Sequence, residues 1–309
     1  MKSKWSLVIL FVLALGGRLH FRTFAFGSNS SETQGTELKV LSYNVRLFDR
    51  YNSNRAESLK TKNNILNFID KKSPDVACFQ EFYHQDAPTS FVTKDTIIEI
   101  MHSKEYHERY AHKLSGRQNF GVALFSKFPI ISKGNVNFES QLGNHNFCIF
   151  ADIVKNKDTF RVYNAHLQSI KFEKVDYAVF DTEKINDNEQ SSNAINLIRK
   201  VKNAYPIRAK QAELVQQHME ECPYNIIVCG DFNDTPLSYA YNQFASNLTD
   251  AYRNTSKGLG STYAGGIPVG RIDYIFHSKS LGSKDFSIQK EALSDHYAID
   301  CTVFVKDTE

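Results

Sequence analysis

Residues 228–236 read VCGDFNDTP, and the residues before them are Asn225, Ile226 and Ile227. The run 226–229 is apolar and β-branched, the signature of a short buried strand. Two acids and an amide, Asp231, Asn233 and Asp234, then arrive where the apolar run stops. In open α/β sheets, ligands gather at such strand ends. Gly230 permits close approach of the backbone to a neighbour or a ligand. Period-two geometry places Asp231 and Asn233 on one face of an extended segment, with Phe232 on the other. Thr235-Pro236 ends the segment, and Asp234 reads as a cap for the turn or the next helix rather than a phosphate contact.

The same pattern recurs along the chain. Further strand signals lie at 38–45 (LKVLSYNV), 76–80 (VACFQ), 122–126 (VALFS), 147–154 (FCIFADIV), 160–167 (FRVYNAHL), 272–277 (IDYIFH) and 298–305 (AIDCTVFV). Helical spacing appears at 58–71 before Pro74, at 192–219 with a break expected at Pro206, and at 239–244. Strands and helices interleave, so the class is α/β or α+β with a mixed sheet. The polar stretch 171–190 reads as a long loop.

With 309 residues, 41% hydrophobic and 23% charged, the composition is globular and compatible with one domain. Lys2 and Lys4 precede an apolar, small-residue run at 5–17 that Arg18 closes. That run is shorter than the ~20 residues of a spanning helix and fits the core of an export signal, with Ala25-Phe26-Gly27 as a cleavage site. Phe21, Phe24 and Phe26 continue the apolar character, so an uncleaved anchor is the alternative. Residues 1–27 are read as a signal peptide or N-terminal membrane anchor, 28–37 as a linker and 38–306 as the domain. The expected location is exported: periplasmic, extracellular or membrane-anchored.

The leader holds Lys2, Lys4, Arg18 and Arg22 and no acid, so removing these four from 37 basic residues leaves 33 against 34 acidic ones. A body near neutrality lacks the charge footprint of a dedicated nucleic-acid binder. Cys78, Cys148, Cys229 and Cys301 lie in apolar runs, the count of five is odd, and no CxxC occurs. Buried free thiols are expected, not a disulfide framework or a zinc site.

Several strands end in a residue suited to a site: Asn44, Glu81, His166 (with Asn164 on the same face), Asp231 and Asn233. Asp273 interrupts an apolar run, and Ser294-Asp295-His296 precedes the last strand. Taken singly, each is more often a satisfied or solvated polar group. Together they form an oxygen-rich, histidine-containing set whose burial without a cation would be costly. A hard divalent ion resolves that cost.

In this order the set resembles the endonuclease/exonuclease/phosphatase superfamily, the deoxyribonuclease-like metal-dependent phosphoesterases. The matching pieces are SYN (42–44), FQE (79–81), GVALFSKFPI (121–130), YNAHL (163–167), GDFND (230–234), RIDYIF (271–276) and SDH (294–296). The resemblance implies a four-layer αββα sandwich of two packed mixed β-sheets, and hydrolysis of a phosphate ester by an activated water with Mg²⁺ or Mn²⁺. It implies Glu81 as the principal metal ligand, supported by Asn44 and Asp295. Asp231 would orient or deprotonate the water, and Asn233 would help hold it. His166 would donate to a phosphate oxygen. His296 would do likewise or transfer a proton, with Asp273 orienting its ring. Whether His296 or Asp231 is the base, and how many ions bind, stay open. Arg271 and Asn119 are further substrate-binding candidates, with a surface ion pair and turn chemistry as their alternatives; Arg208 reads as packing or solvated, and Tyr239, Tyr241 and Phe244 as core packing rather than a membrane or base-stacking patch.

Within the family the first expectation is a nuclease-type phosphodiesterase. A lipid or small-molecule phosphoesterase, sphingomyelinase- or inositol-phosphatase-like, comes second. Third is a catalytically silent binding module, against which the complete acid/histidine set counts. The residues after SDH, Tyr297-Ala298-Ile299, lack the proline-containing run of inositol phosphatases, and no aromatic hairpin of the sphingomyelinase kind stands out. The expected partners are a phosphoester substrate, nucleic acid among the candidates, and a membrane through the N-terminal segment. No protein partner is indicated.

Overall fold

The computed structural model describes residues 22–27, 35–114, 117–138, 146–170, 187–266 and 270–306, with positions 8, 9, 16, 17 and 176. Most of the leader, most of the linker and most of the loop expected at 171–190 lie outside the described residues. The first half of the chain forms β1 (Phe24–Phe26), β2 (Glu37–Asn44), α1 (Arg55–Lys72), β3 (Val76–Gln85), α2 (Thr93–Met101), β4 (Glu105–Leu114), β5 (Gln118–Ser126) and β6 (Ile130–Val136). The second half forms β7 (Phe147–Lys155), β8 (Asp158–His166), α3 (Asp187–Glu220), β9 (Asn225–Asp231), α4 (Tyr239–Asn247), β10 (Thr249–Asp250), α5 (Ala251–Thr255), β11 (Lys257–Leu259), β12 (Asp273–His277), β13 (Leu281–Gln289) and β14 (Ala298–Val305).

Two six-stranded sheets, ordered β13-β14-β2-β3-β5-β4 and β10-β12-β9-β8-β7-β6, pack face to face. Each is mixed, with one parallel pair, β2–β3 in one and β8–β9 in the other. Period-two alternation sorts the apolar residues into layers. Leu38, Val40, Val76 and Cys78 face the other sheet, where Val162, Ile227, Cys229 and Ile275 meet them. Leu41, Tyr43, Ala77 and Phe79 face outward against Ile65 and Ile69 of α1 and Ile97 of α2. On the far side, Tyr163, Val228 and Phe276 pack on Ala212 and Val215 of α3 and Tyr241 and Phe244 of α4. The expected four-layer αββα sandwich is therefore present, and the five cysteines are free, four of them buried.

Helix α1 starts earlier than its apolar spacing suggests, because Asn54 caps it and accepts from the N–H groups of Ala56 and Glu57. The break expected at Pro206 does not occur, since α3 runs through it. Pro206 and Lys202 lie on the exposed side, so the carbonyl that proline leaves unbonded faces water. Meanwhile Ala212, Val215 and Met219 hold the buried face on the sheet. Phe24–Phe26, placed in the leader by the sequence, pairs antiparallel with β11. Among the described residues no helix is long and apolar enough to cross a membrane.

His277 at the end of β12 is buried, with Nδ1 2.9 Å from the Ser278 carbonyl and Nε2 3.0 Å from the Ser283 hydroxyl. Burial holds its pKa down at about 4, against an ordinary 6.5. A depressed basic group gives stability that is complete above the unfolded pKa and is lost as pH falls toward the folded one. Urea unfolding at pH 7 and pH 4.5 should show the wild type losing ~2 to 3 kcal/mol more than His277→Gln. Equal losses in both proteins would refute the assignment.

Candidate active site

The carboxyl ends of β2, β8 and β9 and the bulged middle of β3 meet at one edge of the sandwich, and Asp231 is the hub. Its Oδ2 accepts from Asn44 Nδ2 at 3.0 Å and lies 3.7 Å from His166 Nε2 and 3.6 Å from His296 Nε2. Its Oδ1 accepts the Asn233 backbone N–H at 2.8 Å. Asn233 has φ 53, so it sits in a tight Asx-type turn rather than on the extended segment expected from the sequence. The turn folds its amide back to donate to the Leu167 carbonyl at 3.0 Å. Phe232 points the other way, among Phe244, Tyr274 and Phe276. Gly230 is required: at φ 145 a Cβ there would lie 1.8 Å from the Ala165 carbonyl oxygen.

Strand β12 places Asp273 opposite Asp231. The Asp273 carboxylate accepts from His296 Nδ1 at 3.0 and 3.1 Å, which fixes the ring and turns Nε2 toward Asp231. Burial works against charge on His296, but Asp273 and Asp231 outweigh it and push the imidazole up to about 10. His166 goes the other way. Burial lowers its pKa, and its Nε2 is buried without a hydrogen-bond partner. Burial also raises the Asp231 carboxyl, while His296 pulls it back.

Glu81 reaches the site through a β-bulge. Phe79 pairs with Ala123 and Phe82 with Gly121, so Gln80 and Glu81 together oppose Val122. Glu81 takes φ 48, and the extra residue re-aims its carboxylate while Phe79 and Phe82 both stay in the outer core. Burial and the neighbouring Asp295 push the Glu81 carboxyl up to about 7, while His296 and the Asn44 side chain pull the other way. Asp295 lies 3.2 Å from the Ser294 hydroxyl, which also donates to the Asn44 carbonyl at 2.8 Å.

Two acidic groupings could attract a cation. The ligand atoms of Asp231, Asp273 and His296 lie within 4.8 Å of one another. That grouping already holds its own positive charge, the His296 imidazolium. At the Glu81–Asp295 end the cations are the exposed Arg46, 3.7 Å from Asp295, and the His296 ring, which is already paired with Asp273. A divalent ion therefore fits the Glu81–Asp295 end, with Asn44 in support, and an all-oxygen set suits Mg²⁺ or Mn²⁺.

Two expected substrate contacts fall elsewhere. Arg271 is 3% exposed and its guanidinium is committed to Asp250, with bonds of 2.9 and 2.7 Å. The aromatic faces of Tyr252 and Tyr274 flank it, so it holds structure rather than phosphate. Asn119 is buried near the start of β5, between His84 of β3 and Lys113 of β4, and donates to the Arg117 carbonyl two residues back. Asp234 caps its turn at the Thr235 N–H, as expected, and also accepts from Arg208 at 3.0 Å. Arg208, 1% exposed, thereby ties α3 to the turn that carries Asn233.

Other contributors escape sequence reasoning. Gln80 donates to Asn164 at 2.7 Å, and Asn164 donates to the Phe79 and Ala123 carbonyls, stitching the two sheets together beneath Glu81 and His166. The only signal for Gln80 is a buried-strand position occupied by an amide. Thr262 Oγ1 accepts the backbone N–H groups of Ile272 and Asp273, and the Tyr263 ring meets His296 edge-on at 5.3 Å. Neither lies in a recognisable motif.

Fold and site together define an αββα phosphoesterase architecture. Residues 41–296 match the model of the Endonuclease/Exonuclease/phosphatase family, and the chain belongs to that family. Its members are generally hydrolases acting on phosphoester bonds. A family protein from Bacteroides thetaiotaomicron superposes with TM-score 0.63 at 18% identity, over 90% of this chain and 100% of that one. Truncated Caenorhabditis elegans TDP2 gives 0.58 at 15%, over 87% and 98%. A Bacteroides thetaiotaomicron mannosyl-6-phosphatase gives 0.59 at 19%, over 86% and 99%. At these identities the likeness is one of fold. No curated protein matches the chain by sequence.

Proposed function

We propose that the chain hydrolyses phosphate esters with a water activated at Asp231. The observation that carries this is the convergence of Asn44, His166, Asn233 and His296 on that one carboxylate, each from a different segment. Asp231 holds the attacking water and takes its proton, and burial, which raises its carboxyl, makes it the better acceptor. His296 stays protonated between two carboxylates, so it offers positive charge and an N–H to the phosphoryl oxygens rather than serving as base. The partnerless Nε2 of His166 is available to a second phosphate oxygen. A divalent ion held by Glu81 and Asp295 would polarise the phosphoryl group and neutralise developing charge.

EDTA should abolish hydrolysis of bis-p-nitrophenyl phosphate, and Mg²⁺ or Mn²⁺ should restore it. Calorimetric Mn²⁺ binding should weaken at least about tenfold in Glu81→Gln. Hydrolysis indifferent to chelation would remove the metal from the mechanism. On substrate, a near-neutral body supports small phosphoesters ahead of the nuclease reading. The mannosyl-6-phosphatase among the similar folds is consistent with that order, whereas TDP2 keeps nucleic acid in the panel. The apolar N-terminal run supports export. Mass spectrometry of the mature N-terminus tests it: a start near Ser28 means a cleaved signal, and an intact Met1 in the membrane fraction means an anchor.

A further inference from the structure

Strand β1 argues against a cleavage after Gly27. Phe24, Ala25 and Phe26 pair antiparallel with Leu259, Gly258 and Lys257 of β11, and the two strands form a sheet of their own. Cross-strand partners share a face of such a ribbon. Ala25 and Gly258 lie on the inner face. Ala25 is 1% exposed, and the Gly258 carbonyl accepts from the Tyr252 hydroxyl of α5 at 3.2 Å. Gly27 follows at a close approach to the end of α5, where an added Cβ would lie 2.2 Å from the Asn254 carbonyl oxygen. A signal peptide is removed from the mature protein and contributes nothing to its folded body. Here the residues before the expected cut give β11 its backbone partners and fit closely on α5, so removing them would strip a strand from the fold.

The outer face of the ribbon is apolar. Phe24, Phe26 and Leu259 are 40%, 66% and 72% exposed, and the two phenylalanine rings lie 4.8 Å apart. Exposed Lys257, opposite Phe26, completes that face, and Arg22 precedes the strand. Aromatic and aliphatic side chains on one face, with cations at the margin, match the headgroup boundary of a bilayer.

The chain upstream points to the same occupant. The apolar run at 5–17 ends seven residues before Phe24, and a stretch of that length reaches at most ~25 Å. Val8 and Ile9 of the run are exposed, so they do not fill the core. The run falls short of the ~20 residues that span a bilayer. A short apolar segment holds a membrane reversibly, and a second contact makes the hold stable. The ribbon lies within reach to be that contact.

Resting on the export reading above, we propose that residues 22–27 are retained in the mature protein and that the outer face of the β1–β11 ribbon rests on a phospholipid bilayer into which the run at 5–17 inserts. Strand β11 leads on to Thr262 and Tyr263, which brace Asp273 and His296, so a seated ribbon holds the catalytic edge close to the membrane.

The test uses the full chain, expressed in a bacterial host and reconstituted in vesicles of phosphatidylcholine and phosphatidylglycerol. Peptide mass spectrometry of the membrane fraction should find residues 22–27 present. For the surface, the one native tryptophan is removed as Trp5→Phe and a reporter is introduced as Leu259→Trp. The control is Ile131→Trp, at an exposed position on edge strand β6. Brominated acyl chains should quench Leu259→Trp at least about twofold more than Ile131→Trp. Equal quenching would overturn the membrane surface. So would a reporter at position 259 shielded from both bromolipid and aqueous iodide, which would mean that a second copy of the chain covers the ribbon. A mature chain beginning at Ser28 would overturn the retention of β1. A chain recovered from the cytosol with residues 22–27 intact would instead overturn the export reading, and the vesicle measurement then still decides the surface.

Discussion

Asp231→Asn should lower kcat by about 10³-fold while leaving the melting temperature nearly unchanged. The substitution is isosteric, so the bond from the Asn233 N–H to Oδ1 can persist. What is lost is the proton acceptor and the negative charge on which His166 and His296 converge. Removing a buried carboxylate also relieves desolvation, which offsets part of any lost hydrogen bonding. Measured hydrolysis of bis-p-nitrophenyl phosphate, paired with a thermal melt, checks both halves. Activity within about threefold of wild type would show that Asp231 is not the base.

Asp250→Ala should have the opposite profile, a large loss of stability arising away from the phosphate site. Asp250 accepts from Arg271 twice, from the Tyr241 hydroxyl at 2.8 Å and from the Tyr252 N–H at 3.0 Å. Both members of the ion pair are buried. Burial alone disfavours charge on Arg271, and Asp250 more than compensates. Removing the carboxylate strands a buried guanidinium, which costs about 3–5 kcal/mol. For a chain of this size the melting temperature should fall by on the order of 10 °C. Arg271→Met in the Asp250→Ala background should recover part of that loss, because the stranded charge is then gone. A shift of only a degree or two in the single variant would mean that water reaches Arg271 and the pair contributes little.

Several features of this protein were written locally. The buried strands show as apolar runs because both of their faces are covered, as at 226–229 and 147–154. Period-two alternation assigned Asn164 and His166 to one face, and the order of SYN, FQE, GDFND and SDH picked out candidate residues of which Asn44, Asn233 and His296 meet Asp231. Asp234 as a turn cap and Tyr241 and Phe244 as core were equally legible, since capping and amphipathic spacing are properties of a few neighbouring residues.

Tertiary structure alone decided the rest. Strands β4, β6 and β13 show little apolar run in sequence because all three are sheet edges, and β6 is mostly exposed. Arg271 reads as a phosphate ligand beside Asp273 until its partner Asp250 arrives from 21 residues earlier. Pro206 reads as a helix stop until the turns after it dock on the sheet through Ala212, Val215 and Met219. The bulge that aims Glu81, the Gln80–Asn164 stitch and the strained Arg46–Asp49 turn depend on pairings between strands that are distant in sequence. Sequence fixes which groups are available; register and close packing across two sheets fix which of them can touch.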